Sequence, residues 1–266
     1  MNDCRSVFIT RHGGPDVLEL RSTSISDPKE DEVLVEIKYS GINFADIMSR
    51  MGLYTTRLKP PYRLGMEIAG VVSKSGSEKN RSMVGRAVVG FCRSGGYSSH
   101  VNVPAEQLFV IDDKWLNVAA AIPVNYLTAY FMMIHQGSLR KDETILIHGI
   151  GGGVGIAALQ IANKIGAKII GTASAGKHSK IRELGVEHLI DYQSEDFSER
   201  VMDMTHGKGV DLVMDSLGGK ELAKSYDCLS EFGRVGAYGF STAVTGPKKS
   251  YLKILPKFLK MPSFSP

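Results

Sequence analysis

The hydrophobic pattern changes character part-way along the chain. Up to about residue 120, short apolar runs rich in β-branched residues are separated by glycine and proline, the texture of strands joined by turns. Val33–Tyr39 alternates like a half-buried strand. Residues 68–72, 86–90 and 97–103 give three more strands, the last closed by Pro104. The pattern predicts a compact all-β, barrel-like unit.

After Pro123 the period lengthens. Residues 124–136 read as a helix, and strands then alternate with helices. The predicted strands are 144–148, 168–172, 188–190, 210–214 and 234–237; the predicted helices are 156–165, 177–184, 194–204 and 220–229. Such alternation implies right-handed βαβ units and a parallel sheet. The expected fold class is α/β, a β-barrel domain over 1–122 followed by a doubly wound domain over 123–266. Five strands are one short of the usual six.

Composition narrows the class. The chain has 266 residues, 43% hydrophobic and 23% charged, as in ordinary globular proteins. A net charge of +4 is mild, and no basic-aromatic patch suggests nucleic acid. Cys4, Cys92 and Cys228 lie far apart with no CxxC pair, which argues against a structural zinc site or a disulfide framework. The start lacks a secretory apolar core, and no apolar run is of membrane-spanning length. A cytoplasmic protein is expected, so Asn80-Arg81-Ser82 is read as a chance glycosylation sequon.

The clearest chemistry follows the strand at 144–148. Gly149-Ile-Gly-Gly-Gly-Val-Gly155 joins that strand to a helix. Glycines allow a tight turn and close approach to a pyrophosphate, and the helix start offers free N–H groups. The spacing is imperfect, with Ile150 in the first slot of the dinucleotide fingerprint. About twenty residues on, NAD-binding sites carry an acidic residue for the ribose. Here Ser174, Lys177, His178 and Lys180 occur instead, and no Asp or Glu until Glu183. A lysine and a hydroxyl suit a 2′-phosphate, so NADPH is the expected cofactor. The bland alternative is a solvated helix face. Gly171–Lys177 mimics a phosphate-binding ATPase loop, but His178 stands where Ser or Thr must hold Mg²⁺.

Gly41-Ile-Asn-Phe-Ala-Asp46, Gly52-Leu-Tyr54, Gly65-Met-Glu-Ile-Ala-Gly70, residues 125–130, 148–155 and 185–192 together resemble the quinone oxidoreductases of the medium-chain dehydrogenase/reductase superfamily. Within that group, residues 171–178, 210–219 and 245–248 are most similar to the vesicle amine transport protein homologues. The resemblance implies a GroES-like catalytic domain followed by a Rossmann domain. Zinc-dependent relatives place cysteine and histidine ligands where this chain has Asn43 and Met66, which implies no catalytic metal. It points to Asn43 and Tyr54 as donors to a developing oxyanion, with Asp46 in the same loop orienting them. Their bland alternatives are a turn-bridging Asn43, a rim-packing Tyr54 and a structural Asp46. It further places Asn125 and Thr128 near the nicotinamide or phosphates. Gly152, Gly153, Val154 and Gly155 fall at the pyrophosphate. Ser174, Lys177 and Tyr192 surround the 2′-phosphate. Ser216, Leu217, Tyr238 and Gly239 fall at later strand ends.

The implied activity is NADPH-dependent, zinc-independent hydride transfer to quinones or α,β-unsaturated carbonyls. The alternative is a catalytically inactive cofactor-binding adaptor or lipid-handling protein at vesicle or organelle membranes. Family members continue past Pro266, so the expectation is a short form without the last strand and much of the dimer interface. Residues 248–260 carry five lysines amid apolar positions at helical spacing, broken by Pro256. That pattern reads as a helix packed on a missing partner, or as a peripheral membrane contact.

Overall fold

The computed structural model describes residues 2–54 and 58–243. They form two compact units that divide between Val124 and Asn125.

The first unit contains β1 (Asn2–Ile9), β2 (Leu18–Ile25), β3 (Glu32–Ser40), α1 (Phe44–Met51), β4 (Tyr62–Arg63), β5 (Glu67–Ser75), β6 (Ala87–Phe91), β7 (His100–Pro104), β8 (Leu108–Val110) and the single turn α2 (Leu116–Ala119). Two antiparallel sheets, β2-β1-β4 and β7-β3-β5-β6-β8, supply the predicted barrel-like texture. Val33, Val35, Ile68, Val72, Val88, Val101 and Val103 close one core, so the inward positions of four strands are β-branched. Burial decides the register, because a one-residue slip would turn each strand inside out.

The second unit begins within α3 (Pro123–Tyr130), whose first two residues belong to the first unit, and α3 passes into a π-helical turn over Phe131–Gln136. The single helix expected over 124–136 is therefore two conformations. Then come β9 (Thr144–Ile147), α4 (Gly153–Ile165), β10 (Lys168–Ala173), α5 (His178–Arg182), β11 (His188–Asp191), α6 (Phe197–Met204), β12 (Val210–Asp215), α7 (Gly219–Asp227) and β13 (Leu229–Ala237). The sheet is parallel, in the order β11-β10-β9-β12-β13. Strand order reverses beside β9, and such a switch point opens a crevice at the strand carboxyl ends.

Sidedness in β9 shows why the sheet is a central layer. Ile145 and Ile147 pack with Leu212, Met214 and the small residues of α4 on one face. Leu146 packs with Ile170, Val213 and Phe197 on the other. A strand buried on both faces reads as a continuous apolar run, as Thr144-Ile-Leu-Ile147 does.

Candidate functional site

At the end of β9 the chain must turn sharply into α4. Gly149 makes that turn with φ +61°, a left-handed conformation costly for other residues. The helix starts at Gly153, three residues before the apolar pattern began, with Gly152 in extended conformation as its N-cap. Gly155 is a packing glycine. A Cβ there would lie 2.6 Å from Ile150 Cα. The first N–H groups of any helix lack intrahelical acceptors, and here those groups belong to Gly153, Val154 and Gly155.

The other predicted residues of this unit fall around that end. The Asn125 amide abuts Gly153, where an added Cβ would stand 2.7 Å from Asn125 Cγ. Thr128 follows one turn later on α3 and is half-buried. Lys177, itself exposed, passes its stem along Gly151, at 3.0 Å from a Cβ position there. Its amide donates to the Ser174 carbonyl at 2.9 Å, closing the turn after β10. Tyr192 follows β11 and is 56% exposed. Parallel pairing of Ala173 with Asp191 brings the Ser174 and Tyr192 segments side by side.

Sequence reasoning missed Asp191. Its carboxylate accepts N–H of Gln193 at 3.1 Å and the hydroxyl of Ser194 at 3.0 Å. Backbone hydrogen bonding from Gln193 above all, with help from Ser194 and Ala175, holds its pKa below the usual carboxylate value. A carboxylate therefore stands beside the Ser174–Lys177 turn, contributed by the next strand; counting along the chain from β10 could not find it.

The later strand ends also converge. The Ser216 hydroxyl lies near Gly149, 3.7 Å from a Cβ position on it. Ser216 is hydrogen-bonded to the Tyr238 phenol, which burial pushes up to about 12. Gly239 packs against the Ser216 backbone, and Leu217 accepts the amide of Thr242 at 3.2 Å. Glycine loop, β12 loop and β13 loop thus meet at one edge of the sheet.

In the first unit, the segment expected to be a loop at 43–46 is a helix start. Asn43 is the N-cap of α1, and Asp46 sits in its first turn. Asp46 Oδ2 accepts the Asn43 amide N–H at 2.9 Å and the Tyr97 phenol at 2.8 Å. Burial pushes Asp46 above its ordinary pKa, and burial beside Asp46 pushes Tyr97 higher still. Asn43 Nδ2 donates to Glu67 Oε1 at 2.7 Å, and Glu67 Oε2 accepts the Val124 N–H at 2.8 Å. Glu67 is fully buried, and that burial raises its pKa. Glu67 is a second residue absent from the predicted set. Tyr54, 42% exposed, lines a cavity of about 210 Å³ with Asp46, Tyr62, Arg63, Met66 and Arg93.

These residues do not suit zinc. Asn43 offers an amide already donating to Glu67, and Met66 a thioether. Cys92 donates its thiol to the Gly65 carbonyl, and burial pushes it up to about 12, so no thiolate is at hand. Among the described residues, no group of three or more His, Cys, Asp or Glu is placed to hold a metal ion.

Comparison with known proteins accords with this geometry. Residues 29–113 match the family model described as alcohol dehydrogenase GroES-like domain, and residues 153–264 the one described as zinc-binding dehydrogenase. The chain is 39% identical over 241 residues to quinone oxidoreductase 1 of Escherichia coli, spanning 89% of this chain and 73% of that protein. The chain belongs to the medium-chain dehydrogenase/reductase superfamily. Its medium-chain fold superposes on the crystal structure of Escherichia coli quinone oxidoreductase complexed with NADPH with a TM-score of 0.85, at 36% identity, covering 95% of this chain and 78% of that one. It is also 38% identical over 255 residues to the human synaptic vesicle membrane protein VAT-1 homolog, covering 94% of this chain and 64% of that protein. Against the zebrafish VAT-1 homolog the chain spans 52% of the relative's length. The family's name for the second model mentions zinc, but the donor set here departs from it. No single described helix is long and apolar enough to cross a membrane. The basic segment 248–260 lies outside the described residues.

Proposed function

We propose that this chain binds NADPH at the sheet edge of its second unit and serves zinc-independent reduction of quinones or α,β-unsaturated carbonyls. The observation that carries the reading is the convergence of the Gly149–Gly155 loop, the Lys177 stem and the Ser216–Tyr238 pair at one switch point. The NADPH complex of the Escherichia coli relative supports the same cofactor.

The loop's exposed glycines and the first turn of α4 would hold the pyrophosphate. Lys177 and Ser174 would hold the 2′-phosphate, with Tyr192 flanking it. Asn125, Thr128, Leu217 and Gly239 would shape the edge around the rest. When bound, the nicotinamide supplies a hydride, and binding and orientation are the protein's part.

On the first unit, Tyr54 opens onto a cavity and would donate its phenol to the substrate oxygen. Asn43 carries a second amide N–H besides the one given to Glu67, and that is its available donor. Asp46 fixes the Asn43 backbone. Asn43 is thus braced by two buried carboxyls, Asp46 and Glu67, instead of a metal.

The reading is tested by titrating the protein with NADPH and NADH, following nicotinamide fluorescence and melting temperature together. Stabilisation by NADPH, weaker with NADH, is expected, followed by NADPH oxidation in the presence of a quinone or an enone. No binding of either nucleotide overturns the cofactor assignment. Binding without turnover favours the adaptor reading, for which the similarity to VAT-1 homologues is the supporting observation.

A further inference from the structure

Beneath the ligand edge of the second unit lies a line of four buried polar side chains. His148, Thr172, Asp215 and Ser225 are each at most 2% exposed. His148 directly follows β9, Thr172 lies in β10, Asp215 ends β12 and Ser225 lies in α7. The Thr172 hydroxyl accepts the Gly149 N–H at 3.1 Å and stands 3.3 Å from His148 Nδ1. His148 Nε2 is 3.0 Å from Ser225 Oγ, which donates to Asp215 Oδ2 at 2.6 Å. Asp215 Oδ1 accepts the N–H groups of Leu217 and Gly218 at 2.9 and 2.8 Å.

One proton arrangement fits these contacts. Ser225 spends its hydrogen on Asp215, so it accepts from His148 Nε2–H. His148 Nδ1 then carries no proton and accepts from Thr172, whose oxygen takes the Gly149 amide. Each hydroxyl donates once and accepts once. A second ring proton would leave the Thr172 hydrogen without this acceptor. Burial, only partly opposed by Asp215, lowers the His148 pKa to about 4, consistent with a neutral ring. The Phe197 ring meets the imidazole edge-on, with centroids 4.6 Å apart, and closes off its flank.

We propose that His148 is a positioning residue whose neutral Nε2–H form ties the glycine loop to the loop after β12 and so sets the spacing of the dinucleotide edge. The chain of bonds runs from the Gly149 amide to the Leu217 and Gly218 amides. It joins two segments far apart in sequence that flank the switch point. None of the four side chains needs to touch the ligand. The inference rests on the dinucleotide reading above for its purpose, but the coupling between the loops is a property of the protein alone.

Two measurements test it. The first needs no nucleotide. In ¹⁵N-labelled protein, the His148 ring is expected as the neutral Nε2–H tautomer at pH 7 and still neutral at pH 5.5. Ser225→Ala is expected to shift the Gly149 amide and speed its exchange, although Ser225 does not contact Gly149. Thr172→Val is expected to do the same at Leu217 and Gly218, and Thr172→Ser to restore wild-type behaviour. A ring protonated on Nδ1, or loop amides indifferent to changes at the far end, overturns the proposal whether or not NADPH binds. The second measures NADPH affinity by fluorescence in the cooperatively melting variants. A weakening of about tenfold is expected for Ser225→Ala and Thr172→Val, and less than their product for the pair. Variants that bind like the wild type overturn the positioning role. A wild type that binds no NADPH overturns the dinucleotide reading, while the amide measurements still decide the coupling.

Discussion

The side-chain amide of Asn43 donates to Glu67 Oε1 at 2.7 Å, between two residues almost wholly withdrawn from water. The bond joins the N-cap of α1 to the start of β5, and the other Glu67 oxygen holds the Val124 amide. Removing the carboxyl strands two donors, the buried Asn43 amide and the part-buried Val124 N–H. Glu67→Ala is expected to destabilise the first unit by about 2–4 kcal/mol, read by urea denaturation. Glu67→Gln keeps one acceptor but turns an amide donor toward the other N–H, so about 1 kcal/mol is expected.

Tyr54 has no comparable structural duty, being 42% exposed at a cavity edge. Tyr54→Phe is expected to leave melting temperature and NADPH affinity unchanged while lowering quinone or enone turnover roughly 10- to 100-fold, below the loss for a fully enclosed oxyanion donor. Unchanged turnover removes Tyr54 from the mechanism.

Lys177 is exposed and lies along the glycine loop. Lys177→Ala is expected to weaken NADPH by about tenfold and NADH hardly at all, because only the former brings a 2′-phosphate. Parallel isothermal titrations with the two nucleotides read the difference. Equal losses would mean that Lys177 serves the shared pyrophosphate.

His148 gives the second unit an acid limb. Its folded pKa is lowered to about 4 from an ordinary 6.5, by burial first, with Asp215 pulling the other way. Below pH 6.5 the unfolded chain takes up a proton that the native ring refuses, so stability is complete above that pH and falls toward pH 4. The full loss is on the order of 3 kcal/mol. Denaturation at pH 7 and pH 5 is expected to show the decline, and His148→Phe to flatten it whatever its effect at pH 7. An equally steep decline in the variant assigns the acid limb elsewhere.

Periodicity made much of this molecule legible. Four of the five parallel strands were readable as apolar runs between helices, but of β13 only residues 234–237 were, because Ser230, Glu231 and the exposed Phe232 hide its first half; the glycine loop was readable because glycine makes that turn so close to a helix. Strands β1 and β2 were not, since Leu18 and Leu20 point outward and the alternation is interrupted by Ser and Thr. The helix α1 was hidden inside a motif read as loop; its start is set by Asp46 accepting the Asn43 amide, a signal carried by one bond. At the site, residues next to the glycine motif could be named from spacing. Glu67, Asp191 and the His148 line could not, because each acts through a partner 24 to 77 positions away or on the neighbouring strand.

The placement of β9 between β10 and β12 also dictates an order of assembly. Glycine loop and β10 emerge from the ribosome first, and β12, starting at residue 210, begins 37 positions after β10 ends at residue 173. Until it docks, one wall of the crevice is absent and the Thr172–His148 pair has no Ser225 and Asp215 to meet. A nascent chain therefore acquires its nucleotide edge late and all at once, and a ligand that grips this edge rewards only chains whose fourth parallel strand is already home.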